Sequence, residues 1–387
     1  YIWRQEQYVK EENNMVTVCE KDKCAGCMAC LEVCSKNAIS IKDSIKSYNA
    51  IIDEKSCINC NACRNVCQVN NNIDMSKPIM WKQGWASDVN IRKKSSSGGA
   101  AAAIARSFVE NEGILCSCCF SQGEFVFDFE DDINKLARFS GSKYVKSNPK
   151  GVYRKIKQLL QSGKKVLFIG LPCQVAAVKS FVGKRCEEKL YTIDLICHGS
   201  PSPMLLERFL NEKGYNIKQI GNIEFRSKTN FALKGKRIRL EPVGVQDLYT
   251  YAFLTCMDYT DNCYSCKYAR LERVSDISIG DSWGSDIKEE EKKGISLILC
   301  QTEKGIDLLE QSKMTLEAVD LERAVASNHQ LKHPSKPAIK RDKFITLLQK
   351  GKRFDLSFFM CHPKVVALKQ IDRINSHLKN GGGDTKA

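Results

Sequence analysis

Tandem four-cysteine runs near the start, strand–loop–helix units through the middle and helical periodicity towards the end predict a chain of three regions. They are a small α+β module over residues 14–76, an α/β domain over 85–302 and a helical C-terminal region over 303–387 with a flexible end. At 387 residues the chain is long enough for more than one hydrophobic core.

The module is built on an internal repeat. Cys24, Cys27, Cys30 and Cys34 recur as Cys57, Cys60, Cys63 and Cys67 at a constant offset of 33 positions, and the flanks repeat with them. Thr17-Val18-Cys19 aligns with Ala50-Ile51-Ile52 as a short strand before each cysteine loop. Cys19 stands where the second copy has Ile52, so it reads as strand packing and not as a ligand. Two C-x2-C-x2-C-x3-C runs are the spacing of a ferredoxin-like fold with two 4Fe-4S clusters. Three closely spaced cysteines wrap one cuboidal cluster, and the fourth reaches the neighbouring one. That rule assigns Cys24, Cys27, Cys30 and Cys67 to one cluster, and Cys57, Cys60, Cys63 and Cys34 to the other. Zinc knuckles separate C-x2-C pairs by a finger and do not place four-cysteine runs in tandem. The proline that often follows the fourth cysteine is Ser35 in one run and Gln68 in the other, a packing position.

Met75 to Trp85 reads as a linker. The α/β domain then opens on Ser95-Ser96-Ser97-Gly98-Gly99, followed by helix formers from Ala100 to Val109. Val166–Ile169 predicts a strand that runs into Gly170-Leu171-Pro172-Cys173-Gln174 and a helix through Phe181. Tyr191–Ile196 predicts another, running into Cys197-His198-Gly199-Ser200-Pro201-Ser202-Pro203 and a helix through Lys213. This alternation predicts a largely parallel sheet. Asn222 to Leu240 reads as a β excursion, and the chain from Glu303 as amphipathic helices ending in Gly381-Gly382-Gly383.

Ser96, Ser97, Gly98 and Gly99 lie at a helix N-terminus, where amides hold phosphates, or else form a plain N-cap with a glycine turn. Cys173 and Cys197 stand at strand ends, where α/β proteins place ligands. Cys263-Tyr264-Ser265-Cys266 is a further C-x2-C, leading into Ser278-Ile279-Gly280-Asp281-Ser282-Trp283-Gly284.

Taken in order, Ser-Ser-Gly-Gly at 96–99, Gly-Ser-Lys-Tyr-Val at 141–145, Gly-x-Pro-Cys-Gln at 170–174, Cys-His-Gly-x-x-Ser-Pro, Cys-Tyr-x-Cys-Lys-Tyr and Ile-Gly-Asp-x-Trp-Gly carry a resemblance. The chain resembles the coenzyme F-420 (deazaflavin) hydrogenase/dehydrogenase beta-subunit family, in its form with an N-terminal ferredoxin module. The resemblance implies an α/β flavin-binding domain that holds FAD in preference to FMN. It implies Ser96, Ser97, Gly98 and Gly99 near the phosphates, and Ser142, Lys143 and Tyr144 near the ring or ribityl chain. Lys143 would stabilise negative charge on reduced flavin; without the motif it is a surface charge. His198 would relay a proton, or is a hydrogen-bonded loop histidine. Four thiolates, Cys173, Cys197, Cys263 and Cys266, match the number a third 4Fe-4S cluster needs, with Cys256 in reserve. The alternative leaves Cys173 and Cys197 as small loop residues. The function implied is an oxidoreductase passing electrons from a ferredoxin-type donor through the clusters to flavin and on to an organic acceptor, coenzyme F-420-like or other. The alternative is a non-catalytic electron-transfer subunit of a larger complex.

Composition fits this reading. Twenty cysteines without a secretory segment point to metal or redox chemistry in the cytoplasm, not to disulfides. The longest apolar run, Ala100–Ala105, is too short to cross a bilayer. A formal charge of +15 suits an acidic partner such as a ferredoxin, in a homo-oligomer or a larger complex. No basic motif interleaved with aromatics supports nucleic-acid binding.

Overall fold

The computed structural model describes residues 16–381 except 237, 239, 243 and 244. The glycines at 382 and 383 lie outside the described residues.

In the module, the 33-residue repeat becomes a repeated backbone. Helices Ala29–Val33 and Ala62–Val66 are each preceded by a left-handed residue, Met28 (φ 60°) and Asn61 (φ 58°). Two residues earlier the chain is left-handed again, at Gly26 (φ 73°) and Asn59 (φ 54°). These turns curl the loop so that amides face the sulfurs: Gly26 N–H donates to Cys24 Sγ and Asn59 N–H to Cys57 Sγ, both at 3.4 Å. At Gly26 a Cβ would also meet the Tyr48 ring at 3.0 Å. Strands β1 (Ile39–Asp43) and β2 (Tyr48–Ile52) pair antiparallel beside the loops, with Thr17 bridging to Ile51.

The large domain is an eight-stranded mixed sheet. Its strands are β3 (Met80–Ala86), β4 (Ile114–Ser121), β5 (Glu124–Glu130), β6 (Val166–Gly170) and β7 (Leu190–Leu195), then, after a separate hairpin of β8 (Glu224–Ser227) and β9 (Asn230–Lys234), β10 (Ile277–Asp281), β11 (Ser296–Cys300) and β12 (Met314–Glu317). Their order is β12-β3-β11-β10-β7-β6-β4-β5. The four central strands β10, β7, β6 and β4 run parallel, while both flanks are antiparallel. The sheet is therefore half parallel, not largely so. Met80–Ala86 is a strand of this sheet and not a linker. Met314–Glu317, read as part of a helical tail, is its edge strand. Gly84 permits that edge, because a Cβ there would lie 2.2 Å from Thr315 O.

Strand β6 is buried throughout, as a strand covered on both faces requires. Leu167 and Ile169 pack with Ile104 of helix Ala100–Glu110 on one face. Val166 and Phe168 pack on the other with Val175 and Val178 of helix Pro172–Val182, in the same core as Val18, Tyr48 and Ala50 of the module. The module thus sits on one face of the sheet, next to the ends of β6 and β7. Past β12 the chain is helical, with Phe344, Phe354 and Phe358 packed against Phe209. Among the described residues no helix is long and apolar enough to cross a membrane.

Candidate redox site

All twenty cysteines are free of disulfides, and the fold gathers many of them into three groupings. The first grouping is buried. Cys24, Cys27, Cys30 and Cys67 lie close enough that the charges of Cys24 and Cys67 raise the thiol pKa of Cys27 and Cys30, after burial itself. Cys19 belongs to this neighbourhood too: its thiol is within hydrogen-bond reach of Cys24 and Cys67, and lowers both. Spacing gave no sign of that contact, because Cys19 stands outside the repeated run.

The second grouping faces outward. Cys60 is exposed and Cys34, Cys57 and Cys63 are half-buried. Burial raises Cys63, with Cys57 a lesser contributor, and Cys30 of the buried grouping feels Cys63.

The third grouping assembles from three separate segments. Cys173 opens helix Pro172–Val182 after β6, Cys197 follows β7, and Cys263 and Cys266 lie on and beside the turn Asp261–Ser265. Cys173 is pushed up to about 12, by burial first and then by the nearby Cys266 and Cys263. Cys197 is raised by burial and then by Cys263, Cys173 and Cys266. Cys256 lies elsewhere, among Tyr259, Ser335 and Asp258. A buried ion pair fixes the frame. Arg273 donates to Asp194 at the end of β7, with Nη2–Oδ1 at 2.6 Å, and its Nη1 donates to Tyr268 O at 2.7 Å.

Among the described residues no three His, Cys, Asp or Glu converge as a single ion would require. A cubane is larger and spreads its four thiolates over the corners of a cube. The cysteines present fit that chemistry by number and type.

The residues expected around a flavin cluster past the ends of the parallel strands. Gly99 (φ 93°) caps helix Ala100–Glu110 with no side chain on the first amides. Ser96 Oγ accepts from Ser142 N–H at 2.8 Å, tying the two motifs together. Ser97 Oγ donates to Ile295 O. Gly98 is fixed by packing, since a Cβ would meet Gly84 O at 2.5 Å. Lys143 Nζ donates to Phe139 O at 2.6 Å and Ser140 O at 3.1 Å, and burial lowers its pKa. Tyr144 stacks on Phe253 with ring centroids 4.1 Å apart. Next to them Arg226 forms a two-point pair with Asp281, at 2.7 and 3.0 Å. Lys228 Nζ donates to Ser97 O at 2.8 Å and is lowered to about 8 by burial and then by Arg92 and Arg226. Arg226 and Lys228 were not singled out from sequence; they come from the β8–β9 hairpin. An uncapped helix N-terminus beside two cations suits a phosphate.

His198 is exposed, and its Nδ1 lies 2.6 Å from Gln330 Nε2. Surrounding protein, and then His329, lower its pKa to about 4. With the amide donating, the ring is neutral and carries its proton on Nε2.

Known protein families match two spans of the chain. The family profile for the C terminus of the coenzyme F420 hydrogenase/dehydrogenase beta subunit matches residues 163–324, a span holding Cys173, Cys197, Cys263 and Cys266. A 4Fe-4S dicluster domain profile matches residues 23–71, a span holding all eight module cysteines. An F(420)H(2) dehydrogenase subunit from Methanosarcina mazei is 24% identical over 293 residues, covering 69% of this chain and 79% of that protein. A chain of the F420-reducing NiFe hydrogenase complex from Methanosarcina barkeri aligns at a TM-score of 0.44 and 18% identity, over 76% of this chain and 95% of that one. From its motifs, its module and the sequence matches, the chain belongs to the coenzyme F420 hydrogenase/dehydrogenase beta-subunit family, in the form with an N-terminal 4Fe-4S domain.

Proposed function

We propose that the chain is an electron-transfer subunit of a larger redox assembly, moving electrons between its solvent-facing cysteines and an organic acceptor held at the strand ends. The observation that carries this is the order of the groupings. Cys60 is exposed, Cys24, Cys27, Cys30 and Cys67 are buried, and Tyr153 and Tyr268 each lie within electrostatic range of both Cys27 and Cys173. The relative named as a dehydrogenase subunit supports the assembly.

In this reading Cys24, Cys27, Cys30 and Cys67 hold one 4Fe-4S cluster, Cys57, Cys60, Cys63 and Cys34 a second, and Cys173, Cys197, Cys263 and Cys266 a third. A flavin, FAD in preference to FMN, supplies the conversion between single electrons and the pair that organic reductions need. Ser96, Ser97, Gly98 and Gly99 with Lys228 and Arg226 would hold its phosphates, and Ser142, Lys143 and Tyr144 would line its ring. Two backbone carbonyls occupy two of the three Lys143 ammonium hydrogens and leave one for the cofactor. His198 would hold a proton at Nε2 beside the acceptor. A ferredoxin-type acidic carrier would dock at the Cys60 face, where Lys55 and Arg64 flank the loop.

The test is anaerobic purification with iron, sulfide and flavin counted per chain. About twelve irons and one flavin are expected if each cubane carries four irons. About eight irons would remove the third cluster, and absent flavin would remove the acceptor site. A subunit role predicts that the isolated, fully loaded chain turns over a deazaflavin acceptor only when partner subunits are added. Full turnover of the chain alone would sink it.

A further inference from the structure

The junction between the module and the Cys173 grouping is closed by a hydrogen bond between two buried side chains. Tyr268, two residues after Cys266, donates its hydroxyl to Gln68 Oε1 at 2.5 Å, and Gln68 directly follows Cys67. Each is only 2% exposed. Lys267 Nζ donates to Gln68 O, and to Asn71 O at 2.8 Å, so the same contact is held twice. Tyr268 lies within electrostatic range of Cys27, Cys67, Cys173 and Cys266, that is, of both groupings at once. Its own carbonyl is pinned by Arg273. Gln68 occupies the position after the fourth cysteine, where proline is common, and a proline could not accept this bond.

We propose that the Gln68–Tyr268 hydrogen bond is the electronic bridge between the buried module site and the Cys173/Cys197/Cys263/Cys266 site. The proposal rests on the third-cluster reading above. Electrons tunnel further through covalent bonds and hydrogen bonds than across van der Waals gaps. The path Cys67–Gln68···Tyr268–Lys267–Cys266 crosses between chain segments at one 2.5 Å hydrogen bond. One electron leaves the Cys67 side and one arrives at the Cys266 side; no bond forms or breaks, and Tyr268 keeps its proton. The Lys267 Nζ bond to Gln68 O joins the same two segments, and Tyr153 offers a further contact, its hydroxyl donating to Cys27 O at 2.5 Å, so loss of the Gln68–Tyr268 bond slows transfer without stopping it.

The test uses anaerobic, cluster-loaded protein given less than one equivalent of dithionite, with freeze-quenched EPR following arrival of the electron at the third site. Tyr268→Phe deletes the hydroxyl and keeps the ring; Gln68→Leu deletes the acceptor at similar size. Both are expected to keep iron content and midpoint potentials and to slow arrival severalfold. The double variant should be no slower than either single one, since both remove the same bond. Wild-type arrival rates in both variants would overturn the bridge. Selective loss of the third site's iron in Tyr268→Phe would also overturn it, by showing a scaffold role. An iron count of about eight in the unmutated protein is a separate outcome that removes the third-cluster reading itself, and the bridge with it.

Discussion

Arg273 and Asp194 are 2% and 0% exposed and pair with each other at 2.6 Å. Two charges taken out of water owe their tolerance to mutual attraction and to hydrogen bonds that fill the remaining valences. Those bonds exist: Ser275 Oγ donates to Asp194 Oδ2 at 2.8 Å, and Arg273 also donates to Leu195 O and Tyr268 O. Arg273→Met keeps the bulk but strands a buried carboxylate, with an expected cost of about 3–5 kcal/mol. Because Arg273 ties the segment after Cys266 to the strand before Cys197, the variant should also lose the iron of the proposed third cluster first, if that grouping holds one. Urea denaturation and iron content measured on the same preparation check both. At this scale the sequence was only partly legible. The eight module cysteines follow from spacing alone. Asp194 and Gln68 do not, because their roles depend on partners that folding brings from far along the chain, and Cys19 does not, because it stands outside the repeated run whose cysteines it meets.

The clearest case of one element completing another is Glu32. It sits on the short helix Ala29–Val33 and is buried. Its carboxylate accepts from Gly151 N–H at 2.7 Å and Arg154 N–H at 3.0 Å, at the start of helix Val152–Gln161. That helix begins at Gly151, which has no side chain to cap it. A carboxylate on the free amides also complements the positive end of the helix. Glu32→Ala should cost about 1–2 kcal/mol, the usual value of a lost cap, visible as a lower denaturation midpoint with unchanged slope. No loss would show that the amides find another partner. Helix Val152–Gln161 had no cap to read in its own sequence, since the cap comes from the module. The same long-range logic hid β3 and β12. Strand β3 sets Lys82 and a buried Gln83 among its apolar residues, and both strands pair antiparallel with segments distant in sequence. By contrast β6 and β7 were legible as apolar runs ending in glycine- and proline-rich turns.

For the whole molecule, the module and the sheet share a core but not the same means of support. The sheet domain buries long apolar strands and helices that need no metal, including Leu167, Phe168, Ile193, Leu297 and Leu299. The module's two helices have five residues each, far below the length at which a helix persists by itself. Cysteines make up much of the module's buried set: Cys19, Cys24, Cys27, Cys30 and Cys67 stand beside Val18, Ala29, Tyr48 and Ala50. Iron binding to those thiolates is therefore folding energy for the module, as metal binding is for other small domains. Removing iron with a chelator under reducing conditions should loosen residues 16–76 and leave the eight-stranded sheet folded. Limited proteolysis of the iron-free chain should then cut within the module while the fragment from about residue 80 survives, a boundary set by the start of β3. Thermal melting should change from one transition to two. If the iron-free chain instead melts in one step at the original temperature, the clusters are passengers in a module held by its docking contacts. If the sheet is lost together with the module, those contacts are what support the large domain.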